Sequence, residues 1–294
     1  RDERYELAYH GLTHGISGYE GVPFIQEWES FDSLDEALKI TNEGREYFRK
    51  VIGRYPEGGK YCGYRTNEFS DSSIDKSGFK WWCRKWNRGL TDVTAKEKFR
   101  INYFGENSVI DIPSTLAGNI FDLPGKIKEK AAVEAILGRH FIKYDETLEL
   151  GYKQINELYN NGFLISVQQH ISPARTDGKR QGLNIFDDIH SLRRIFSYLS
   201  EKQCWYATGT EVAEYFEAFE KTQIIKKSDN SFELIYSGKK LNNNFITIIL
   251  RGAQGVNVIR NDSGTYSAES EFSVGKYLIK NFPLINGIYT VTEK

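Results

Sequence analysis

A chain of 294 residues is long enough for one large domain or two smaller ones, each with a real core. Its 39 basic and 40 acidic residues leave a formal charge of −1, so composition makes no electrostatic case for nucleic acid or an anionic membrane as partner. No apolar run approaches the ~18 residues of a spanning helix, which predicts no transmembrane segment.

The chain begins at Arg1 and contains no Met, so the absence of a leader pattern says nothing about compartment. Cys62, Cys83 and Cys204 are too few and too scattered for a disulfide framework, and Cys83 and Cys204 read as buried thiols. Aromatic residues make up 14% of the chain, a bias that suits sugar-binding clefts and ordinary cores alike.

Tyr5 to Tyr9 reads as a strand that ends at His10-Gly11-Leu12-Thr13-His14. Glycines at 11, 15, 18 and 21 argue against a helix there, since each costs about 1 kcal/mol relative to Ala. Two imidazoles at the carboxyl end of a strand can face one cleft, a common ligand location in α/β folds. The spacing alone does not specify a metal site. Tyr9 and Tyr19 flank the loop and can brace it.

Ser33, with Glu36 three residues on, predicts a capped helix start, and Gly53 its end. Leu34, Leu38, Tyr47, Phe48 and Val51 supply its apolar stripe. Gly63-Tyr64-Arg65 reads as a strand end, Ser70 to Ser77 as a short helix, and Phe79 to Cys83 as a strand leading to Trp86. Trp81 and Trp82 alternate across that strand; one belongs in the core, and Trp82 is the candidate for the cleft side. Ser108 to Ile112 is a strand closed by Pro113, with Asp111 near its end, and Lys126 to Leu137 is a helix. Leu148 to Tyr159 is a helix and Phe163 to Val167 a buried strand leading to His170. Phe186 to Leu199 is a helix, Cys204 to Ala207 a strand and Thr210 to Phe219 a helix. His140 and His190 read as structural. This alternation predicts a parallel sheet or barrel. Beyond about 222, six short β-rich runs separated by Gly, Asn, Asp and Ser predict a small sandwich. Domains are therefore expected over 1–221 and 222–294.

The order of these pieces resembles the polysaccharide deacetylase family, carbohydrate esterases built on a deformed (β/α) barrel. The resemblance spans roughly residues 5 to 218 and rests on four stretches. These are Glu6 through His14, Gly63-Tyr64-Arg65 before the Phe79–Trp82 strand, Ile165 through His170, and Trp205-Tyr206-Ala207-Thr208 with Glu211. It implies a divalent metal, usually zinc, on His10 and His14, a steadying role for Arg65, and His170 as general acid. An acetylated polysaccharide or oligosaccharide is the implied partner, in an extracytoplasmic or envelope setting. Trp86, and with it Trp82, is the candidate for stacking on a sugar ring.

The family's Asp-Asp pair, a metal ligand and a base, precedes the histidine pair; the nine residues before His10 hold Asp2 but no adjacent Asp pair. The residue two after Arg65 is Asn67 rather than Pro, and Gln168 stands where Leu is usual. Three explanations stay open: the pair lies upstream of Arg1, on a first strand this barrel lacks; the lineage lost it; or Asp187-Asp188 replaces it. The expected function is metal-dependent deacetylation of an N- or O-acetylated glycan. Its alternative is a non-catalytic carbohydrate-binding or envelope-assembly protein that keeps the fold.

Overall fold

The computed structural model describes residues 4–16, 24–86, 96–121, 144–174, 179–241, 245–251, 256–260, 270–274 and 277–293. Tyr19, the helix expected over Lys126–Leu137, and His140 lie outside them. The chain divides into two compact units, Arg1–Gly209 and Thr210–Lys294.

The first unit opens with a small antiparallel pair, β1 (Gly15–Ile16) and β2 (Ile25–Gln26). Helix α1 spans Leu34–Ile52, and the sequence signals hold at both ends. Ser33 Oγ accepts from Glu36 N at 3.2 Å, and Gly53 caps the far end at φ 86°. The return bond of the capping box goes one residue early, from Asp32 N to Glu36 Oε2 at 2.7 Å. The fully buried residues of its inner face are Ala37, Thr41 and Gly44; of the bulky stripe expected, Phe48 packs partly buried against the core, whereas Tyr47 and Val51 are exposed. Small residues win this face because Tyr9 lies against it: a Cβ on Gly44 would sit 1.8 Å from Tyr9 Oη.

Next come β3 (Gly58–Lys60), α2 (Ser70–Lys76) and β4 (Trp81–Cys83). Glycine occupies the first two positions of β3 because its neighbours press on the backbone. A Cβ on Gly58 would meet the Trp81 ring at 2.1 Å, and one on Gly59 the Tyr9 carbonyl at 2.2 Å. β5 (Asn102–Phe104) forms an antiparallel pair with β6 (Val109–Asp111), which runs parallel to β4. The same extended segment continues past Ser114, bridged to Trp86, into β7 (Leu116–Ala117), which pairs in parallel with β8 (Val167–Gln168).

Of the strand expected at 5–9, only Tyr9 is paired, by a parallel bridge to Gly59. The parallel segments therefore neighbour one another in chain order: Tyr9, β3, β4, β6 with β7, then β8. Among the described residues they form an arc and no closed barrel. Cys204–Ala207, expected as a strand, is irregular, with Trp205 and Tyr206 about 60% exposed.

Helices α3 (Tyr144–Asn160) and α4 (Ile189–Ser200) supply Ile155, Leu158, Ile195 and Leu199 to a core with Leu116, Ile120 and Phe121. A second core gathers Tyr9, Trp28, Phe31, Tyr61, Phe79 and Trp82. Trp28 and Trp82 meet there edge to face at 5.4 Å, a contact worth about 0.5–1.5 kcal/mol beyond area burial.

In the second unit, helix α5 (Gly209–Lys221) precedes seven strands. These are β9 (Thr222–Ser228), β10 (Ser231–Tyr236), β11 (Phe245–Arg251), β12 (Val256–Arg260), β13 (Ser270–Val274), β14 (Tyr277–Pro283) and β15 (Gly287–Glu293). They form two antiparallel sheets, ordered β12-β15-β10-β9 and β11-β14-β13. Leu234 and Tyr289 of one sheet, Ile246 and Ile248 of the other, and Ala218 of α5 share one core. The division at 209/210 thus falls at the first residue of α5, whereas the shift in composition places it after the helix. β13 lies where no strand is expected. Among the described residues no helix is long and apolar enough to cross a membrane.

Candidate functional site

The segments that follow Tyr9, β3, β4 and β8 border one cavity of about 750 Å³. His10, His14, Lys60, Tyr64, Trp86 and His170 all line it, so four stretches distant in sequence converge on one volume.

The histidine loop is held from beneath by Glu27, which is 2% exposed. Its Oε1 accepts from Leu12 N at 2.9 Å; its Oε2 accepts from Thr13 N at 2.7 Å and His14 N at 2.9 Å, and Thr13 Oγ1 lies 3.2 Å away. A tight loop carries consecutive backbone donors that need an acceptor once covered, and a carboxylate satisfies several at once. Gly11, at φ 132°, is needed for this approach, since a Cβ there would lie 2.6 Å from Glu27 Oε2. Glu27 carries no local sequence signature of this role; the one signal is a row of loop N–H groups that need a partner.

The loop presents the two imidazoles side by side, ring centroids 5.1 Å apart and planes at 72°. His10 Nδ1 lies 2.8 Å from the Lys60 carbonyl. An N–H at that nitrogen donates to the carbonyl, which assigns the tautomer and leaves Nε2 with a free electron pair. Burial lowers the His10 pKa to about 4, and the charges of Lys60, His14 and His170 push the same way against the Lys60 backbone bond. At neutral pH His10 is therefore an uncharged ligand or acceptor. His14 sits at φ 65° and Tyr64 at φ 56°, left-handed conformations that cost a non-glycine residue of order 1–3 kcal/mol. Both residues border the cavity.

Behind the histidines lies Cys62, buried in the turn after β3. The ligand atoms of His10, His14 and Cys62 lie within 4.8 Å of one another. Burial first, then the charge of Glu27, raises its thiol pKa to about 12.

His170 follows β8 and faces the same cavity. Its Nδ1 lies 2.6 Å from the Leu183 carbonyl, and its Nε2 lies 3.0 Å from Gln181 Nε2. An N–H at Nδ1 donates to the carbonyl, which leaves Nε2 as the ring nitrogen that meets Gln181. Gln181 can serve either state, donating from its amide N–H or, once flipped, accepting through its carbonyl.

The opposite wall is Tyr64 stacked on Trp86, centroids 6.1 Å apart and planes 28° apart. The Tyr64 hydroxyl lies 2.8 Å from Ser114 Oγ and donates to Gln168 Oε1 at 2.9 Å. Gln168 Oε1 also accepts from Lys60 Nζ. Gln168 thus has a use that an apolar residue at this point could not serve.

Two expected site residues stand elsewhere. Trp82 is fully buried among Tyr9, Trp28, Tyr61 and Phe79, a core position and not a cleft position, because β4 is covered on that face by the aromatic cluster. Arg65 projects outward, its side chain 70% exposed, with Nε 3.5 Å from Glu29 Oε1. Neither borders the cavity. Asp187 and Asp188, the alternative carboxylate pair, are likewise absent from its lining. Asp187 pairs with Arg180, and Asp188 accepts from Gln169 Nε2 at 2.9 Å and Asn184 N at 3.1 Å. Asp111 pairs with Arg84 at 3.5 Å. Among the described lining residues there is no carboxylate. Comparison with family models, curated proteins and solved structures finds no match to the chain.

Proposed function

We propose that this chain is a metal-dependent deacetylase of an N- or O-acetylated glycan, carried on a deformed barrel of the polysaccharide deacetylase type. The observation that carries this reading is the meeting of His10 and His14 with His170 across one cavity that has an aromatic wall.

The donor set fits zinc. Two imidazoles and a thiolate are borderline-soft ligands of the kind zinc takes, with bonds of about 2.0–2.3 Å. Three donors no more than 4.8 Å apart would place an ion within about 2.8 Å of each, so inward shifts of at most about 0.5–0.8 Å close the site. His10 and His14 would hold the ion, with Cys62 as third donor. When bound, zinc acts as a Lewis acid toward the acetyl carbonyl and makes water nucleophilic near neutral pH.

The chain's own residues do the remainder. The Lys60 carbonyl fixes the His10 tautomer, as an outer hydrogen bond does for a ligating imidazole. Glu27 fixes the loop that bears both imidazoles. His170 Nε2 delivers a proton to the departing amine or alcohol, and the Leu183 carbonyl orients its ring. Trp86 offers an indole face to a pyranose ring.

The test is acetate release from acetylated oligosaccharides by zinc-loaded protein, compared with His170→Ala and with the His10→Ala, His14→Ala double variant. Loss of a general acid predicts a fall of about 10²–10⁴-fold in kcat for His170→Ala, with folding intact. Equal slow rates in all three proteins would refute the reading. A second reading, a glycan-binding protein without catalysis, draws support from the lack of a carboxylate among the described lining residues. It predicts saturable binding of the acetylated oligosaccharide with no acetate released at any zinc concentration.

A further inference from the structure

We infer that the cavity takes an anionic group of its ligand on Lys60, so the glycan that enters it is an acidic one. The inference names the substrate class of the cavity just described, but it concerns binding and does not depend on turnover.

Lys60 is the last residue of β3, and its half-buried side chain enters the cavity. The ammonium has three N–H donors. One is taken by Gln168 Oε1, and the ring of Tyr64 lies beneath the nitrogen at 4.6 Å. Both partners are uncharged. An ammonium withdrawn from water is costly unless a counter-charge accompanies it. The described residues that border the cavity supply none. The polar surroundings of Lys60 therefore position a positive charge without neutralising it. Gln168 and Tyr64, tied together by their own 2.9 Å bond, pin the ammonium while leaving donors for a ligand.

A sugar ring against Trp86 with a carboxylate or phosphate on Lys60 satisfies both walls. The shared chemistry is an anionic oxygen; a uronate carboxylate and a sugar phosphate are its two sources. A neutral glycan would leave the ammonium uncompensated, and the cavity discriminates against it for that reason.

Titration calorimetry on the full chain with trigalacturonate, glucose 6-phosphate and chitotriose tests this. Wild type is expected to prefer one or both anionic probes over chitotriose by about 30-fold or more, the loss that accompanies an unpaired buried charge. Preference for trigalacturonate alone assigns a uronate, and preference for glucose 6-phosphate a phosphate. Lys60→Met should abolish the preference, and Lys60→Arg should keep it; Lys60→Gln takes the place of Lys60→Met if that variant fails to fold. Equal affinity for anionic and neutral probes, no saturable binding of an anionic probe, or a preference that survives the neutral substitution overturns the inference. The zinc content of the same preparations reports separately on His10 and His14. Loss of the anion preference with zinc retained leaves the deacetylase reading standing, and the converse result leaves the acidic ligand standing.

Discussion

Replacing Glu27 with Gln tests how far the histidine pair depends on the carboxylate beneath it. The carboxylate receives three backbone N–H bonds of 2.7–2.9 Å from Leu12, Thr13 and His14. A glutamine keeps one carbonyl oxygen, but its NH₂ group then faces donors that had an acceptor. Bonds to a charged acceptor are worth about 1.5–3 kcal/mol each. Thr13 and His14 are exposed, so their freed N–H groups recover part of this from water. A net destabilisation of about 2–4 kcal/mol follows. The site should suffer as well as the fold, because an outer residue that orients ligands typically governs a 10–100-fold change in metal affinity. Chelator competition gives the zinc affinity, and urea denaturation of the metal-free protein gives the stability. If Glu27→Gln binds zinc within about twofold of wild type, the loop does not owe its ligand geometry to this carboxylate.

Two further outcomes follow from the packing and the charges. Gly44→Ala should destabilise the chain by about 1–3 kcal/mol, although Ala is the better helix former by about 1 kcal/mol, because the new methyl meets Tyr9 Oη at 1.8 Å; a thermal melt showing a gain would refute the packing assigned to Tyr9. Because burial depresses the His10 pKa from 6.5 to about 4, the unfolded chain binds the extra proton first as pH falls. The stability attributable to neutral His10 is therefore fully present above pH 6.5 and is lost progressively between 6.5 and about 4. Denaturation curves of the metal-free protein across that range should lose this component of the slope in His10→Gln; an unchanged slope would show that His10 is solvated.

Legibility in the sequence followed the range of the forces involved. The ends of α1 were readable because Ser33 and Gly53 act on backbone groups within a few residues. The burial of α1 was readable only in part, at Phe48, because the need for glycine at 44 comes from Tyr9, a residue from another element. His10, His14, Trp86 and His170 could be proposed from strand ends, and all four border the cavity. Trp82 could not be told from Trp81 by alternation, since both faces of β4 are covered and both rings are buried. The roles of Glu27, Lys60 and Gln168 are not legible for a common reason: each acts by meeting a group remote in sequence, and none carries a local signature of doing so.

The bonds of Gln168 to Lys60 and Tyr64 have a mechanical side. The first unit is built on two cores, one gathered by Tyr9, Trp28 and Trp82 and the other by Leu116, Phe121 and Ile155. Lys60 and Tyr64 extend from the side of the first core, while Gln168 sits on β8 beside the second. The cavity thus borders a seam between two halves, and Gln168 Oε1 is one of the atoms that link them. A ligand that fills the cavity adds its own contacts across that seam, so its arrival should be felt as greater unity of melting in the two halves, and not only as a higher melting temperature.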